Sequence, residues 1–246
     1  MIVKRLTAAL KRQDWAVVSI EFVLVVVGVL FAFQINEWAN ERANENSRQQ
    51  ASERLLEEVE RSVAYIRQAT EYEQGIVDAL RAAINRIDAR SGTSAAEAAL
   101  ASRLVRARAM VALAPPSSVY DDIVSSGELH RIGDEKVRAA IGRYRSTLSF
   151  EERMRQQLQA TLPAFERIEA FRYTIDRNGH MAMQLDFAAL GRDLQARQIV
   201  ALTAENHRIL LMLRTRALHD SELMCVALGN SVGRACNLRL PPPSFD

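Results

Sequence analysis

The sequence predicts an all-α protein, with one N-terminal transmembrane helix followed by a long-helix stalk and an antiparallel helical bundle. Three observations support this fold class. The apolar run from Trp15 to Ile35 has 21 residues, which as a helix span roughly 31 Å, the thickness of a bilayer hydrocarbon core. Residues 39–90 contain no proline and one glycine, Gly75. Later segments repeat apolar residues at helical spacing, with abundant Ala, Leu, Arg and Glu.

These patterns divide the chain into five segments. They are a basic N-terminal segment (1–14), the transmembrane helix (15–35), a polar helical connector (36–54), a helical bundle domain (55–229) and a C-terminal tail (230–246). The part outside the membrane is long enough for one helical domain with its own core. The net charge of +2, with both signs interleaved, does not indicate a nucleic-acid partner.

The flanks of the apolar run predict its orientation. Trp15 and Trp38 bracket it, as indoles favour the two interfaces of a bilayer, and four basic residues precede it: Lys4, Arg5, Lys11 and Arg12. We therefore expect a cytoplasmic N-terminus and a helical domain on the other side. A cleaved signal sequence is the alternative. The long polar leader, Glu21 within the run and the lack of a small-x-small cleavage site favour an uncleaved anchor.

Glu21 is unusual because a carboxylate costs free energy inside a bilayer. One interpretation places it near the inner headgroup layer, protonated or reaching water. The other uses its angular position, because Gly28 and Ala32 follow at 7 and 11 residues and so share its helix face within about 20°. Gly28-x-x-x-Ala32 is a spacing at which two membrane helices approach closely. Glu21, Gly28 and Ala32 are thus the candidate contact face for a second copy or another membrane protein.

Two stretches have a specific pattern: Asp14-Trp15-x5-Glu21-Phe22-Val23-x-Val25-Val26-Val27-Gly28-Val29, continuing to Asn36-Glu37-Trp38, and Ser126-Gly127-x-Leu129-x-x-Ile132. They resemble an uncharacterised family of bacterial single-pass inner-membrane proteins with a helical soluble domain. The resemblance covers about a quarter of the chain. It implies a bacterial inner-membrane location with a periplasmic domain, and it implies no chemistry.

Cys225 and Cys236 lie 11 positions apart, with Gly229 and Gly233 between them to let the chain reverse. A disulfide is the interpretation that suits an oxidising compartment. Two reduced, buried thiols are the alternative for a cytoplasmic domain.

Four expectations concern local structure. A second helix should run from a cap at Ser94 to about Leu113. Its arginines, at 103, 106 and 108, could form an anion or headgroup site, but the neighbouring Val105 and Ala107 favour a solvated helix face. Residues 117–138 should form a corner with a stop at Gly127 and a cap at Asp134. A further segment runs through Phe165 to Ile175. The last helix should begin at Phe187 or Asp193, with residues 209–213 its most buried part.

No catalytic pattern is present in the sequence. The four histidines lack metal-ligand spacing, neither cysteine has a histidine beside it, and no phosphate-binding or nucleophile motif occurs. We therefore expect no catalytic, metal or cofactor site and no small-molecule substrate. A membrane-anchored, non-catalytic structural or interaction protein is the preferred class. The alternatives are an extracytoplasmic ligand-sensing bundle that signals through a membrane partner and a membrane-tethered enzyme.

Overall fold

The computed structural model describes residues 15–89, 95–162, 166–169, 173–175, 181–183 and 185–241. The basic segment 1–14 and the last five residues of the C-terminal tail lie outside the described residues. The chain divides into two compact units, Met1–Gln50 and Ala51–Asp246.

The fold is all-α, as the sequence predicts. In chain order the helices are α1 (Trp15–Ala89), α2 (Ala95–Arg106), α3 (Ser118–Ser125), a 3₁₀ helix (Glu128–Arg131), α4 (Glu135–Thr161), α5 (Glu166–Glu169), α6 (Phe187–Arg192) and α7 (Leu194–Val232). Two three-residue strands, β1 (Tyr173–Ile175) and β2 (Met181–Met183), pair antiparallel with Thr174 opposite Ala182. The expected segment from Phe165 to Ile175 is thus divided between α5 and β1, whose aromatic and β-branched residues suit a strand.

The first unit contains the membrane-type part of α1. Within the part of the chain that the structure describes, α1 is the one helix long and apolar enough to cross a membrane. Its side chains from Ser19 to Ser47 are all exposed. Large apolar side chains between Ile20 and Ile35 therefore form a contiguous apolar surface. Such a surface is rare on a soluble monomer and marks contact with lipid or with a partner.

In the second unit, α1 and α7 run antiparallel. Arg67 on α1 pairs with Glu222 on α7 at 3.2 Å, whereas Asp88 on α1 pairs with Arg197 on α7 at 2.7 Å. Residue numbers rise along one helix as they fall along the other, which fixes the direction.

Helices α4 and α7 are also antiparallel. The Thr147 hydroxyl donates to Asp220 at 2.7 Å, and the Asn206 amide donates to the carbonyl of Leu158 at 3.3 Å. Since α1 and α4 both oppose α7, the three long helices form the antiparallel bundle that the sequence predicts.

Two large hydrophobic clusters and a smaller one, which contains Met110, Leu158 and Leu210, fill this bundle. The first large cluster contains the α1 side chains from Leu55 to Ile66 together with α3, α4 and the C-terminal part of α7. The second large cluster contains the α1 side chains from Ile76 to Ile87 together with α2, α6 and the N-terminal part of α7. The stretch of α1 between the two large clusters, residues 67–75, is where the apolar periodicity of the sequence weakens.

Aspartate caps fix where three helices begin. The Asp134 carboxylate accepts a hydrogen bond from the Val137 N–H, so the predicted cap of α4 is confirmed. Asp186 caps α6 and Asp193 caps α7 in the same way. Both predicted starting points of the last helix therefore exist, as the starts of two successive helices.

The corner after α2 is held by a buried carboxylate on α1. Glu58, 2% exposed, accepts hydrogen bonds from the N–H groups of Val119 and Tyr120 and from the Ser118 hydroxyl. A negative charge at a helix N-terminus is favourable, so Glu58 fixes the start of α3. Gly127 ends this helical turn in the left-handed conformation, with φ of 73°, which a glycine adopts without strain.

Helix α2 ends at Arg106, and the prediction that it continues to Leu113 is wrong. Residues after Arg106 leave the helix and expose backbone groups that side chains from α4 bind. The Gln159 amide oxygen accepts from the Met110 N–H at 2.7 Å, and Arg155 donates to the Met110 carbonyl at 3.0 Å. These tertiary hydrogen bonds satisfy backbone groups of Arg108 and Met110 that the helix no longer pairs.

Candidate functional site: a buried charged layer and its cavity

Polar residues interrupt the apolar lines of all three long helices at one level of the bundle. Each line repeats every seven residues and is buried: Val59, Ile66, Glu73, Leu80 and Ile87 on α1; Val137, Tyr144, Glu151 and Leu158 on α4; Val200, His207, Arg214, Ser221 and Leu228 on α7. Seven-residue spacing keeps side chains on the face that packs against a neighbouring helix. We call Glu73, Glu151, His207 and Arg214 the charged layer.

Arg214 is the centre of the charged layer. Its Nη1 lies 3.0 Å from Glu73 Oε2 and its Nε lies 3.4 Å from Glu151 Oε1. The guanidinium also donates to the backbone carbonyls of Ala69 and Val111. All of its partners are acceptors, and one side chain thereby links α1, α4, α7 and the segment after α2.

His207 completes the other side of Glu73. Its Nε2 lies 2.8 Å from the carbonyl oxygen of Ala107, which can only accept, so Nε2 carries a hydrogen. Its Nδ1 lies 2.5 Å from Glu73 Oε1. Glu73 therefore contacts His207 through one carboxyl oxygen and Arg214 through the other.

Glu151 is the second carboxyl group that contacts Arg214. When the Glu151 carboxyl is ionised, its negative charge faces the positive charge of the guanidinium. Burial raises the pKa of the Glu151 carboxyl above its usual value, and the Arg214 charge and hydrogen bond oppose that rise. Its second oxygen, Oε2, has no hydrogen-bond partner among the described residues. A neutral carboxyl tolerates such a site better than a carboxylate does.

The charged layer is closed to bulk solvent. The side chains of Glu73, Glu151, His207 and Arg214 are at most 2% exposed. Charges buried in this way are retained when they satisfy one another, and removing one partner is strongly destabilising. The arrangement joins the elements of the bundle and leaves little room for a reacting substrate.

Arg214 nevertheless borders a cavity of about 330 Å³. Its other lining residues are mostly apolar or aromatic: Tyr65, Gln68, Ala69, Tyr72, Val111 and Ala112. The Gln68 side-chain oxygen is buried without a hydrogen-bond partner in the described part of the chain. An apolar cavity with a few polar groups is the usual form of a small-molecule site.

The predicted membrane-contact residues Glu21, Gly28 and Ala32 are all exposed on α1. No described atom outside its own helix turn lies within 4 Å of the position that a Cβ would take at Gly28. The face is therefore open along the described chain.

The structure joins Cys225 and Cys236, the two residues that the sequence pairs, by a disulfide with their Cα atoms 5.7 Å apart. Beside it, the buried carboxylate of Glu60 accepts from the Asn237 N–H at 2.8 Å and pairs with Arg234 at 3.2 Å. The chain after α7 is thus fastened to α1.

Glu60 and the two sulfurs are the one group within the described residues close enough to share a metal ion. As disulfide sulfurs they are not the thiolates that a metal binds.

The sequence analysis did not predict the charged layer. It considered the four histidines, His207 among them, only as possible metal ligands. Two signals could have found the charged layer. The apolar spacing on α1 weakens around residues 70–74, and Glu73 falls midway between Ile66 and Leu80 on the same helix line. A charged residue at a position that the periodicity assigns to the core predicts a buried partner.

The corner that the sequence predicts at residues 117–138 packs into the core of the bundle. Ile132 is 1% exposed within the first hydrophobic cluster, and Leu129 packs against that cluster.

No protein-family model, curated protein or solved structure matches the chain. The class that the structure itself defines is an all-α protein with one apolar, membrane-type helix segment near its N-terminus.

Proposed function

We propose that the protein is a membrane-anchored, non-catalytic interaction protein whose helical domain lies outside the cytoplasm. The observation that carries the proposal is the exposed apolar stretch of α1 between Ile20 and Ile35, which no described part of the chain covers. The same helix later supplies core side chains from Leu55 to Ile87 to the bundle. As a helix these residues span about 24 Å, and a lipid bilayer is the partner that best suits a continuous apolar helix surface of that length.

The orientation follows from the flanking residues and the disulfide. Basic residues precede the apolar stretch, and Glu37, Glu41 and Glu45 follow it, which favours an N-terminus in the cytoplasm. A Cys225–Cys236 disulfide suits an oxidising compartment such as the periplasm. The resemblance at residues 14–38 supports the same bacterial inner-membrane location.

An interaction role is favoured over catalysis by the state of the polar residues. Most of the buried polar side chains that the structure describes form hydrogen bonds within the bundle, and the charged layer is closed to solvent. The Glu21, Gly28 and Ala32 face is open to a second copy of the chain or to another membrane protein.

Topology tests this proposal. Reporters active on one side of the membrane only are fused to the C-terminus, and the thiols of Cys225 and Cys236 are assayed in the same cells. A periplasmic C-terminus with oxidised cysteines is expected. A cytoplasmic C-terminus with free thiols would reject the proposed orientation, and a soluble, unanchored product would reject the anchor.

A ligand-sensing bundle is the second candidate, and the cavity bordered by Tyr65, Tyr72 and Arg214 favours it. The cavity lies within the second unit, between α1 and the segment after α2. A ligand there would contact three parts of the bundle at once and so stabilise their packing. A membrane partner would have to carry the signal across the bilayer.

A further inference from the structure

We propose that the bundle binds a small, water-soluble amphipathic monoanion, such as an aromatic or short-chain carboxylate, in a groove along α1. The apolar body would occupy the cavity beside Tyr65, and the anionic head would lie at Arg103 and Arg106. This inference rests on the second candidate function and assigns its ligand class.

The apolar end of the groove is the cavity of about 330 Å³ described above. Helix α1 contributes four lining residues, Tyr65, Gln68, Ala69 and Tyr72, whose spacings of three and four residues place them on one helix face. Val111 and Ala112 form the opposite wall. Two tyrosine rings and small apolar side chains fit a ring or a short acyl chain.

A second cavity, of about 270 Å³, continues along the same helix. Tyr72 lines both cavities, and its side chain is 44% exposed. The remaining lining comes from Glu71, Gly75 and Ile76 on α1 and from Arg103 and Arg106 on α2. Tyr72 therefore lies where the two cavities meet. We place the ligand against this side chain, with its apolar body on one side and its anionic head on the other.

Charge distinguishes the two ends. Arg214 at the apolar end already donates to Glu73, to Glu151 and to two backbone carbonyls, so its guanidinium is engaged inside the bundle. Arg103 and Arg106 are exposed, and neither forms an ion pair with another described residue. Glu71 lies on the same rim and offsets one of these charges. The balance at this end is one positive charge, which complements a monoanion.

Two arginines separated by three residues project from neighbouring positions of one helix face. Their guanidinium groups can therefore converge on a single carboxylate, and each supplies donors in the planar geometry that a carboxylate prefers. On this proposal Arg103 and Arg106 form an anion site, in place of the solvated face that the sequence favours.

The test uses the full chain in lipid nanodiscs and the probe 3-(4-fluorophenyl)propanoate, followed by ¹⁹F NMR line broadening. Empty nanodiscs give the background, and 3-(4-fluorophenyl)propan-1-ol is the neutral analogue. The wild type should bind the acid, and should bind the alcohol about three- to tenfold more weakly. The double variant Arg103→Gln with Arg106→Gln should weaken acid binding to the same extent.

Two further variants locate the site. Arg143→Gln removes an exposed arginine of α4 that lines neither cavity, and acid binding should be unchanged. Ala112→Phe places a ring in the apolar cavity from an exposed position and should abolish binding of both probes.

The results separate this inference from the function on which it rests. If both probes bind equally, Ala112→Phe abolishes both and the arginine variant changes neither, the cavity binds ligands but the anion assignment is overturned. If neither probe binds the wild type above empty nanodiscs, both the site and its ligand class are overturned. Acid binding that survives Ala112→Phe would place the site elsewhere.

Discussion

Glu73 on α1 and Arg214 on α7 form an ion pair at 3.0 Å with both side chains at most 2% exposed. They are 141 residues apart in the sequence. Glu73 occupies a position where α1 otherwise places a buried apolar residue, and Arg214 lies between His207 and Ser221 on the buried line of α7. Their pairing sets which turn of α1 faces which turn of α7. Buried polar residues in helical bundles can specify register in this way.

Arg214→Met should destabilise the protein by about 3–5 kcal/mol, because it leaves Glu151 without its cation and the Ala69 and Val111 carbonyls without their donor. The free energy of unfolding from denaturant titration measures this. Arg208→Met, which removes an arginine 61% exposed on the same helix, should cost less than about 1 kcal/mol. Equal effects of the two substitutions would show that the charged layer contributes no more than a surface pair.

Glu151 should make stability depend on pH. Its pKa is higher in the folded protein than in the unfolded chain because of burial. Its contribution to stability is therefore complete below the unfolded pKa of about 4.5 and is lost as pH rises through the folded pKa. We expect Glu151→Gln to gain stability relative to the wild type as pH rises above about 4.5, as denaturant titrations at several pH values would show.

Glu152→Gln is the control for that pH series. A hydrogen bond from Arg155 lowers the pKa of the Glu152 carboxyl. Its contribution is present above the unfolded pKa and lost as pH falls through the folded pKa, so the trend relative to the wild type should have the opposite sign. The same sign for both variants would contradict the assignment.

Removing the disulfide should destabilise the helical domain by about 3 kcal/mol, since it closes a short loop between Cys225 and Cys236. Cys225→Ala with Cys236→Ala and treatment of the wild type with reductant should give similar losses in denaturant titrations. Reductant should then have no effect on the double variant. A wild type indifferent to reductant would show that the bond makes no contribution.

Gly191→Ala should destabilise by about 1–3 kcal/mol, because the added Cβ would lie 2.8 Å from the backbone carbonyl oxygen of Ile87. Helix α6 would have to move away from α1. Gly142→Ala is the matched control within α4, where a Cβ meets nothing within 4 Å. That substitution should stabilise the helix by about 0.5–1 kcal/mol. Thermal unfolding of both variants tests the close approach, which a neutral Gly191→Ala would contradict.

Glu21→Leu combined with Gly28→Ile should weaken self-association in the membrane. The substitutions remove the polar group and the small residue from one exposed helix face. Crosslinking yields in membranes measure the effect. Val23→Ile with Leu30→Ile, exposed apolar positions on the opposite side of the same helix stretch, should leave the yields unchanged, whereas unchanged yields in the first variant would reject the contact face.

The helices and their caps were accessible from the sequence because they depend on near neighbours. The apolar spacing of α1 and the capping role of Asp134 involve residues within one or two turns. The early end of α2 was not accessible, since Gln159 and Arg155 bind the backbone of residues 108–110 from another helix.

The same limit explains the burial of α7. The sequence assigns residues 209–213 as its most buried part because all five are apolar, but in that run only Leu210 is buried and Met212 is 60% exposed. Arg214, one position beyond the run, is 1% exposed. Hydrophobicity ranks side chains by transfer free energy, whereas the direction in which each one points depends on where the neighbouring helices lie.

The all-α class, the apolar helix near the N-terminus and a cysteine spacing that a disulfide can close were all predictable from local sequence patterns. The packing of distant helices brings Glu73, Glu151, His207 and Arg214 together in the interior, next to a cavity. Desolvation explains the difference: a lone charge is too costly to bury, so the sequence of one helix predicts that it is exposed. It becomes a core residue once packing brings its partner from a distant helix.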